Sequence, residues 1–99
     1  MPGYIVLHGE VTDPDGYEEY KEGAQRLIAE HGGRYLARGG AASRLEGDWL
    51  PRFVVVEFPS YDAALAFYHS PGYQRLAEIR KRCGKSAVAI VEGLTTPTP

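Results

Sequence analysis

The residues of this 99-residue chain whose types and spacing could do chemistry are an arginine in a strand, a carboxylate in an apolar strand, and a histidine and glutamate two positions apart. Arg38 follows Gly32-Gly33 and a short β-rich run, and Gly39-Gly40 come directly after it. An unpaired guanidinium is costly to bury, so an anion should lie close to Arg38. The glycines free the backbone on both sides and would let a ligand approach it closely. The chemistry this implies is anchoring of a carboxylate or enolate at the mouth of a pocket. Glu57 interrupts Phe53-Val54-Val55-Val56-Glu57-Phe58, and a carboxylate in such a strand needs a partner unless its pKa is raised. It is therefore read either as the ion-pair partner of Arg38 or as a base. Glu46 is a second possible partner or base. His8 and Glu10 share one strand face, where they suit proton transfer, loose holding of a metal, or a solvated strand end. The candidate catalytic residues are thus Arg38, Glu57 and His8.

Six tyrosines, Tyr17, Tyr20, Tyr35, Tyr61, Tyr68 and Tyr73, join Trp49 in an aromatic set that is large for a domain of this size. Buried tyrosine hydroxyls need partners, so the set suits either the wall of a pocket for a flat organic molecule or helix-to-sheet packing and dimer contact. Trp49 lies on a loop among charged residues and proline, where it either caps a second subunit or lids a cleft; the dimer contact is preferred. Arg75, Arg80, Lys81, Arg82 and Lys85 gather near a helix C-terminus as a solvated basic face, from which Arg80 could turn inward to a carboxylate. The ligand-binding candidates are Arg38, Gly39, Gly40, Glu46, Trp49, Tyr20, Tyr68 and Arg80. His31 and His69 have no spacing that joins them to His8 as metal ligands, so no metal is expected. Cys83, the one cysteine, permits no internal disulfide and reads as a small buried hydrophobe at a helix end.

The elements that must position these groups are legible in turn. Tyr4 to Val11 is a first strand. Asp13-Pro14 supplies an N-cap and a first-turn proline for a helix carrying Tyr17, Tyr20, Ala24, Leu27, Ile28 and His31 on one face, with Gly32 as its cap. Tyr35 to Ala41 is a second strand, Arg44 to Arg52 a loop or hairpin connection, and Phe53 to Phe58 the strongest strand signal. Ser60 and Ser70-Pro71 begin two helices, the second bearing Tyr73, Leu76, Ala77, Ile79 and Cys83 and stopping at Gly84. Ser86 to Gly93 is the last strand. The order β-α-β-β-α-β is the split pattern of a ferredoxin-like α+β fold: a four-stranded antiparallel sheet with helices on one face. Ile5-Val6-Leu7, Val54-Val55-Val56 and Val88-Ala89-Ile90-Val91 are apolar on both strand faces, so the face away from the helices needs cover as well. A second copy related by a two-fold axis is the economical cover, and a homodimer is expected.

Composition narrows the function classes. A net charge of −2 supplies no basic field for nucleic acid or anionic lipid. No apolar run is long enough to cross a membrane as a helix, and with a single cysteine a cytoplasmic protein is expected. Residues 1–94 read as one domain, and residues 95–99 as a flexible tail. Glycine-rich nucleotide loops, a serine-hydrolase elbow and a paired-cysteine haem motif are all missing from the sequence, so no cofactor is expected.

Nearly the whole chain resembles the family known as domain of unknown function 1330, within the dimeric α+β barrel superfamily. The resemblance rests on Val11-Thr12-Asp13-Pro14 with Tyr17 and Tyr20, on His31 through Gly40, on Leu45-Glu46-Gly47-Asp48-Trp49 with Pro51-Arg52, and on Val56-Glu57-Phe58-Pro59-Ser60. Ala64, Phe67-Tyr68, Ser70-Pro71, Tyr73 and Arg80 fit as well. It implies the ferredoxin-like fold and the dimer and little about chemistry, because the superfamily spans cofactor-independent monooxygenases, isomerases, haem enzymes and small binding proteins. Two readings follow. In one the chain binds a small anionic or aromatic ligand, with Arg38 orienting an oxyanion and Glu57, Glu46 or His8 serving as base in a cofactor-independent isomerase or monooxygenase-like proton abstraction. In the other it is a non-catalytic structural or interaction dimer in which Arg38, Glu46 and Glu57 form a buried network.

Overall fold

A computed structural model describes residues 1–94. Its elements are β1 (Gly3–Val11), α1 (Pro14–Glu30), β2 (Arg34–Arg38), β3 (Arg52–Phe58), α2 (Tyr61–His69), α3 (Pro71–Arg82) and β4 (Gly84–Glu92). The four strands form one antiparallel sheet in the order β2-β3-β1-β4. This is the expected α+β βαββαβ fold, with the second crossover made of two short helices. The flexible tail expected at residues 95–99 lies outside the described residues.

Local signals explain the boundaries. Asp13 accepts from the Gly16 amide at the head of α1, and Pro14 occupies its first turn, where no intrahelical donor is lost. At the other end His31 is the cap, and Gly32 follows with φ +78°. Gly32 N–H donates to the Ala29 carbonyl at 3.1 Å and Gly33 N–H to the Ile28 carbonyl at 2.8 Å, which turns the chain sharply back toward β2. Ser60 and Ser70 cap α2 and α3 through their hydroxyls, and Ser70 also ends α2. Gly84 does not terminate α3 by itself. Cys83 is the cap, and Gly84 opens β4 where its backbone lies against the Glu10 carbonyl. Cys83 is buried, as expected, and its carbonyl accepts from the Thr12 and Asp13 amides, so the start of α1 is tied to the end of α3.

The core lies between the helices and the inner face of the sheet. Ile5, Leu7, Val56 and Phe58 point inward from the strands and meet Tyr17, Tyr20, Ala24, Ile28, Ala64, Phe67, Tyr73 and Ala77. Phe58 and Phe67 are the largest fully buried side chains, with ring centroids 5.1 Å apart. Strand register arranges this inner face in rows. Tyr35, Val56, Ile5 and Ile90 form an apolar row; Arg38, Val54, Leu7 and Val88 form the next; Arg52, Gly9 and Ser86 form a third. The inner face thus becomes polar toward one end of the sheet.

On the outer face the middle row is Ala37, Val55, Val6 and Ala89. No helix covers it, and Leu36 and Val91 are both 49% exposed. An apolar face of this kind in one chain is the condition from which a two-fold partner was expected.

Candidate functional site

The second strand is shorter than the sequence implied, and the difference decides where Arg38 points. β2 stops at Arg38 instead of Ala41, because Gly39 takes φ +71° and turns the chain after one last bond, from its amide to the Phe53 carbonyl at 2.8 Å. Within β2 a bulge lies between Tyr35 and Ala37. Tyr35 pairs with Val56 and Arg38 with Val54, so three steps along β2 match two along β3. Plain alternation from Tyr35 would place Arg38 on the outer face. The extra residue brings it to the inner face beside the helices.

There it lines a cleft of about 240 Å³ with Tyr17, Tyr20, Gln25, Tyr35 and Arg52, closed below by Ile28 and Val54. The Arg38 guanidinium lies 4.6 Å from the centre of the Tyr35 ring and donates to Gln25 Oε1 at 3.3 Å. Arg52 enters from the first position of β3, its guanidinium carbon 5.8 Å from the centre of the Tyr17 ring. A side chain at Gly39 would collide with the Arg52 guanidinium, so this glycine makes room for an arginine. Gly40 has open space around it.

Neither cleft arginine has a carboxylate partner among the described residues. The ion pairs among the described residues are Lys21 with Glu18, Arg34 with Glu57 and Lys81 with Glu78. The Nε of Arg52 is buried and unbonded. Burial raises the Tyr35 phenol above its usual 10.0, against the pull of Arg38. Burial likewise raises Tyr20 and Tyr73, whose hydroxyls meet at 2.7 Å behind the cleft.

Several expectations need correction. Glu57 is the partner of Arg34, at 2.8 Å on the outer face, and of neither Arg38 nor a proton-abstraction site. Strand alternation is the reason: Glu57 lies between the inward Val56 and Phe58. Glu46 is in the exposed loop and lines no part of the cleft. The Arg38-Glu46-Glu57 network is therefore absent. His8 also faces outward. Its Nδ1 accepts from the Leu50 amide at 3.0 Å, and its ring meets Trp49 and Phe53 with centroids 5.3 and 6.0 Å away. Trp49 packs with His8 and Phe53 and does not lid the cleft. Tyr68 stacks near Tyr73 and His69 beside β4, outside the cleft. Arg80 does turn inward, but to the Ser86 hydroxyl at 3.1 Å instead of a carboxylate. Among the expected ligand residues the structure brings Arg38 and Tyr20 together, with Gly39 holding the backbone beside Arg52.

Sequence reasoning overlooked Arg52, Gln25 and Lys21 as cleft residues. The signal for Arg52 was present: it shares alternation with Val54, Val56 and Phe58, the inward positions of β3. Tyr17, Lys21 and Gln25 recur four residues apart on one stripe of α1.

This architecture, an antiparallel sheet with one helix-covered face and a cleft under α1, defines the class as ferredoxin-like α+β proteins. The chain belongs to the family described as Domain of unknown function (DUF1330), whose profile matches residues 2–94. Solved structures of the same fold include RPA0582, a protein of unknown function from Rhodopseudomonas palustris, at 18% identity and TM-score 0.70, covering 95% of this chain and 83% of that one. A dimeric ferredoxin-like protein of unknown function from Jannaschia sp. shares 16% identity at TM-score 0.71, over 94% of this chain and 100% of the other. SnoaB, a cofactor-independent oxygenase from Streptomyces nogalater, shares 15% identity at TM-score 0.63, over 96% of this chain and 95% of its own. At these identities the likeness establishes the fold. No curated protein matches the sequence. No described helix is long and apolar enough to cross a membrane, and no three His, Cys, Asp or Glu side chains gather into a metal-binding group among the described residues.

Proposed function

We propose that this chain is a small-ligand-binding protein that works as a homodimer and holds a compact organic anion, with a planar or aromatic part, in the cleft under α1. The observation that carries the reading is the arrangement of Arg38 and Arg52 at a tyrosine-walled cleft with no carboxylate to neutralise either. The cleft volume of about 240 Å³ limits the occupant to roughly one ring and its substituents. Tyr17 and Tyr35 supply faces for stacking, Gln25 supplies a hydrogen bond, and the guanidiniums take the carboxylate, enolate or phenolate.

Stabilising an enolate or phenolate is the catalytic contribution open to these groups, and it requires no cofactor. It is consistent in kind with SnoaB, a relative in fold, being a cofactor-independent oxygenase. Proton abstraction by Glu57, Glu46 or His8 forms no part of the proposal, since none of the three lines the cleft. The outer face, with Val6 and Val55 at its centre, supports the homodimer, as does the dimeric state of structural relatives.

The test is calorimetric titration with a panel of monocyclic aromatic carboxylates and phenolates, using the wild type and Arg52→Ala. Binding by at least one member that weakens ten- to a hundredfold in the variant is the expected result. Binding that ignores Arg52 would overturn the assignment.

A further inference from the structure

Behind Tyr17 the inner face holds a second, smaller hollow of about 10 Å³, room for one water-sized body. Its origin lies in the third row of the sheet, where Arg52 and Ser86 flank Gly9 on the central strand. Gly9 lets β4 approach closely there: a Cβ on it would lie 2.9 Å from the Lys85 carbonyl oxygen and 3.3 Å from the Ser86 Cβ, so no side chain of its own reaches the hollow. Arg80 descends from α3 over the same gap.

Arg80 is 4% exposed, the one buried charged residue among those described. Its Nη1 donates to Ser86, while its Nε is buried with no partner; the Nε of Arg52, which also lines the hollow, is in the same state. Neither guanidinium forms an ion pair among the described residues. Glu10 borders the hollow, but it follows the inward Gly9 on β1, so its side chain belongs to the outer face and is exposed. A buried charge without a counter-charge is strongly disfavoured, and Arg80 is one; half-buried Arg52 adds a second unpartnered N–H at the same void.

We infer that the hollow between Arg52 and Arg80 is a binding site for a single halide-sized anion, a resident counter-ion distinct from the occupant of the cleft. The ion would accept from both orphaned Nε groups and neutralise Arg80 where the chain supplies no acid. Arg52 borders both spaces, so this ion fixes the face that Arg52 leaves for the cleft.

The test uses bromide as the probe. Crystals of the wild type grown in sodium bromide are expected to show an anomalous peak between Arg52 and Arg80. The peak should persist in Arg38→Ala, which separates this site from the cleft, and vanish in Arg80→Met. In solution, replacing gluconate by chloride at constant ionic strength should raise the wild-type melting midpoint saturably, by about 3 °C or more. Arg80→Met should show no such chloride-specific rise, and its response to generic salt effects serves as the reference. If Arg80→Met does not fold, Arg80→Lys, with its shorter reach and different donors, should bind bromide at least tenfold more weakly. A hollow holding only water in bromide-grown wild-type crystals, or equal chloride stabilisation in wild type and variant, would overturn the inference.

Discussion

On the outer face of the sheet Arg34 donates to Glu57 at 2.8 Å and remains 72% exposed, whereas Arg38, four residues further along the same strand, is turned to the inner face with only Gln25 and the Tyr35 ring for company. Arg52 and Arg80 share that inner side and also lack acids. The outer face therefore combines an internally neutralised charge pair with an apolar centre, a surface suited to cover by a second copy. The inner face keeps an excess of positive charge next to its cleft, a surface suited to an anion. One strand serves both because a single bulged residue in β2 changes the direction of everything after it.

The largest effect expected from breaking this contrast comes from placing an unpaired charge at the centre of the outer face. Val55→Arg puts a guanidinium into the Val6-Val55-Ala89 row. If a second copy covers that row, dimer affinity should fall by about a thousandfold or more, roughly 4 kcal/mol, because the new charge is buried without a partner. Sedimentation equilibrium at micromolar concentration measures it. An unchanged association state would show that the row is not the interface.

Next in size is the comparison of the two arginines that bound β2. Arg38→Ala should weaken binding of a small aromatic carboxylate about ten- to a hundredfold, the loss of a charge-assisted hydrogen bond. Arg34→Ala should leave that affinity within about twofold, since its partner is Glu57 across the sheet. Both side chains are largely solvated, so neither change should alter stability by much more than about 0.5 kcal/mol. Equal losses of affinity in the two variants would erase the distinction between the faces.

That distinction explains how far the sequence could be read. The capped starts of the helices at Asp13-Pro14, Ser60 and Ser70-Pro71 and the apolar runs of β1, β3 and β4 each carry a local physical signal, and all appear where those signals place them. Charges on the strands are a different matter. A carboxylate in an apolar strand points to a partner such as Arg38 or to a base, but which face each charge takes depends on register, and register here includes a bulge that no residue type announces. Tyr35 and Arg38 differ by an odd number of positions and still share a face. Arg52 suffered the opposite fate: read as the end of a loop, it is the first residue of β3 and inherits the inward parity of Val54. The family resemblance supplied fold and dimer without correcting either assignment, because neither depends on the chain's topology.

The tyrosine pair behind the cleft gives the third test. Tyr20 and Tyr73 satisfy one another at 2.7 Å in a buried setting. Tyr20→Phe should cost about 1–3 kcal/mol by stranding the Tyr73 hydroxyl, and Tyr20→Phe/Tyr73→Phe should recover part of that loss. Burial raises both phenols above 10.0, so in alkali the native state keeps protons that the unfolded chain releases. Stability from these groups is therefore constant below about pH 10 and falls as pH rises beyond it. Denaturant melts between pH 8 and about pH 11.5 should show a shallower alkaline decline in the double variant. Parallel declines would mean that the hydroxyls ionise as freely in the native state as in the unfolded chain.

The smallest effect belongs to the outer-face ion pair, and its size locates the edge of the covered surface. Arg34 is 72% exposed and Glu57 24%, so solvent screens their attraction and Glu57→Gln should cost at most about 1 kcal/mol. That cost should shrink toward zero in 1 M salt, where screening reaches only about 3 Å. A loss of about 3 kcal/mol or more that persists in high salt would be the signature of a pair buried in the assembly. The covering copy would then extend past the Tyr4-Glu57 row, and the neutralised pair would belong to the interface itself.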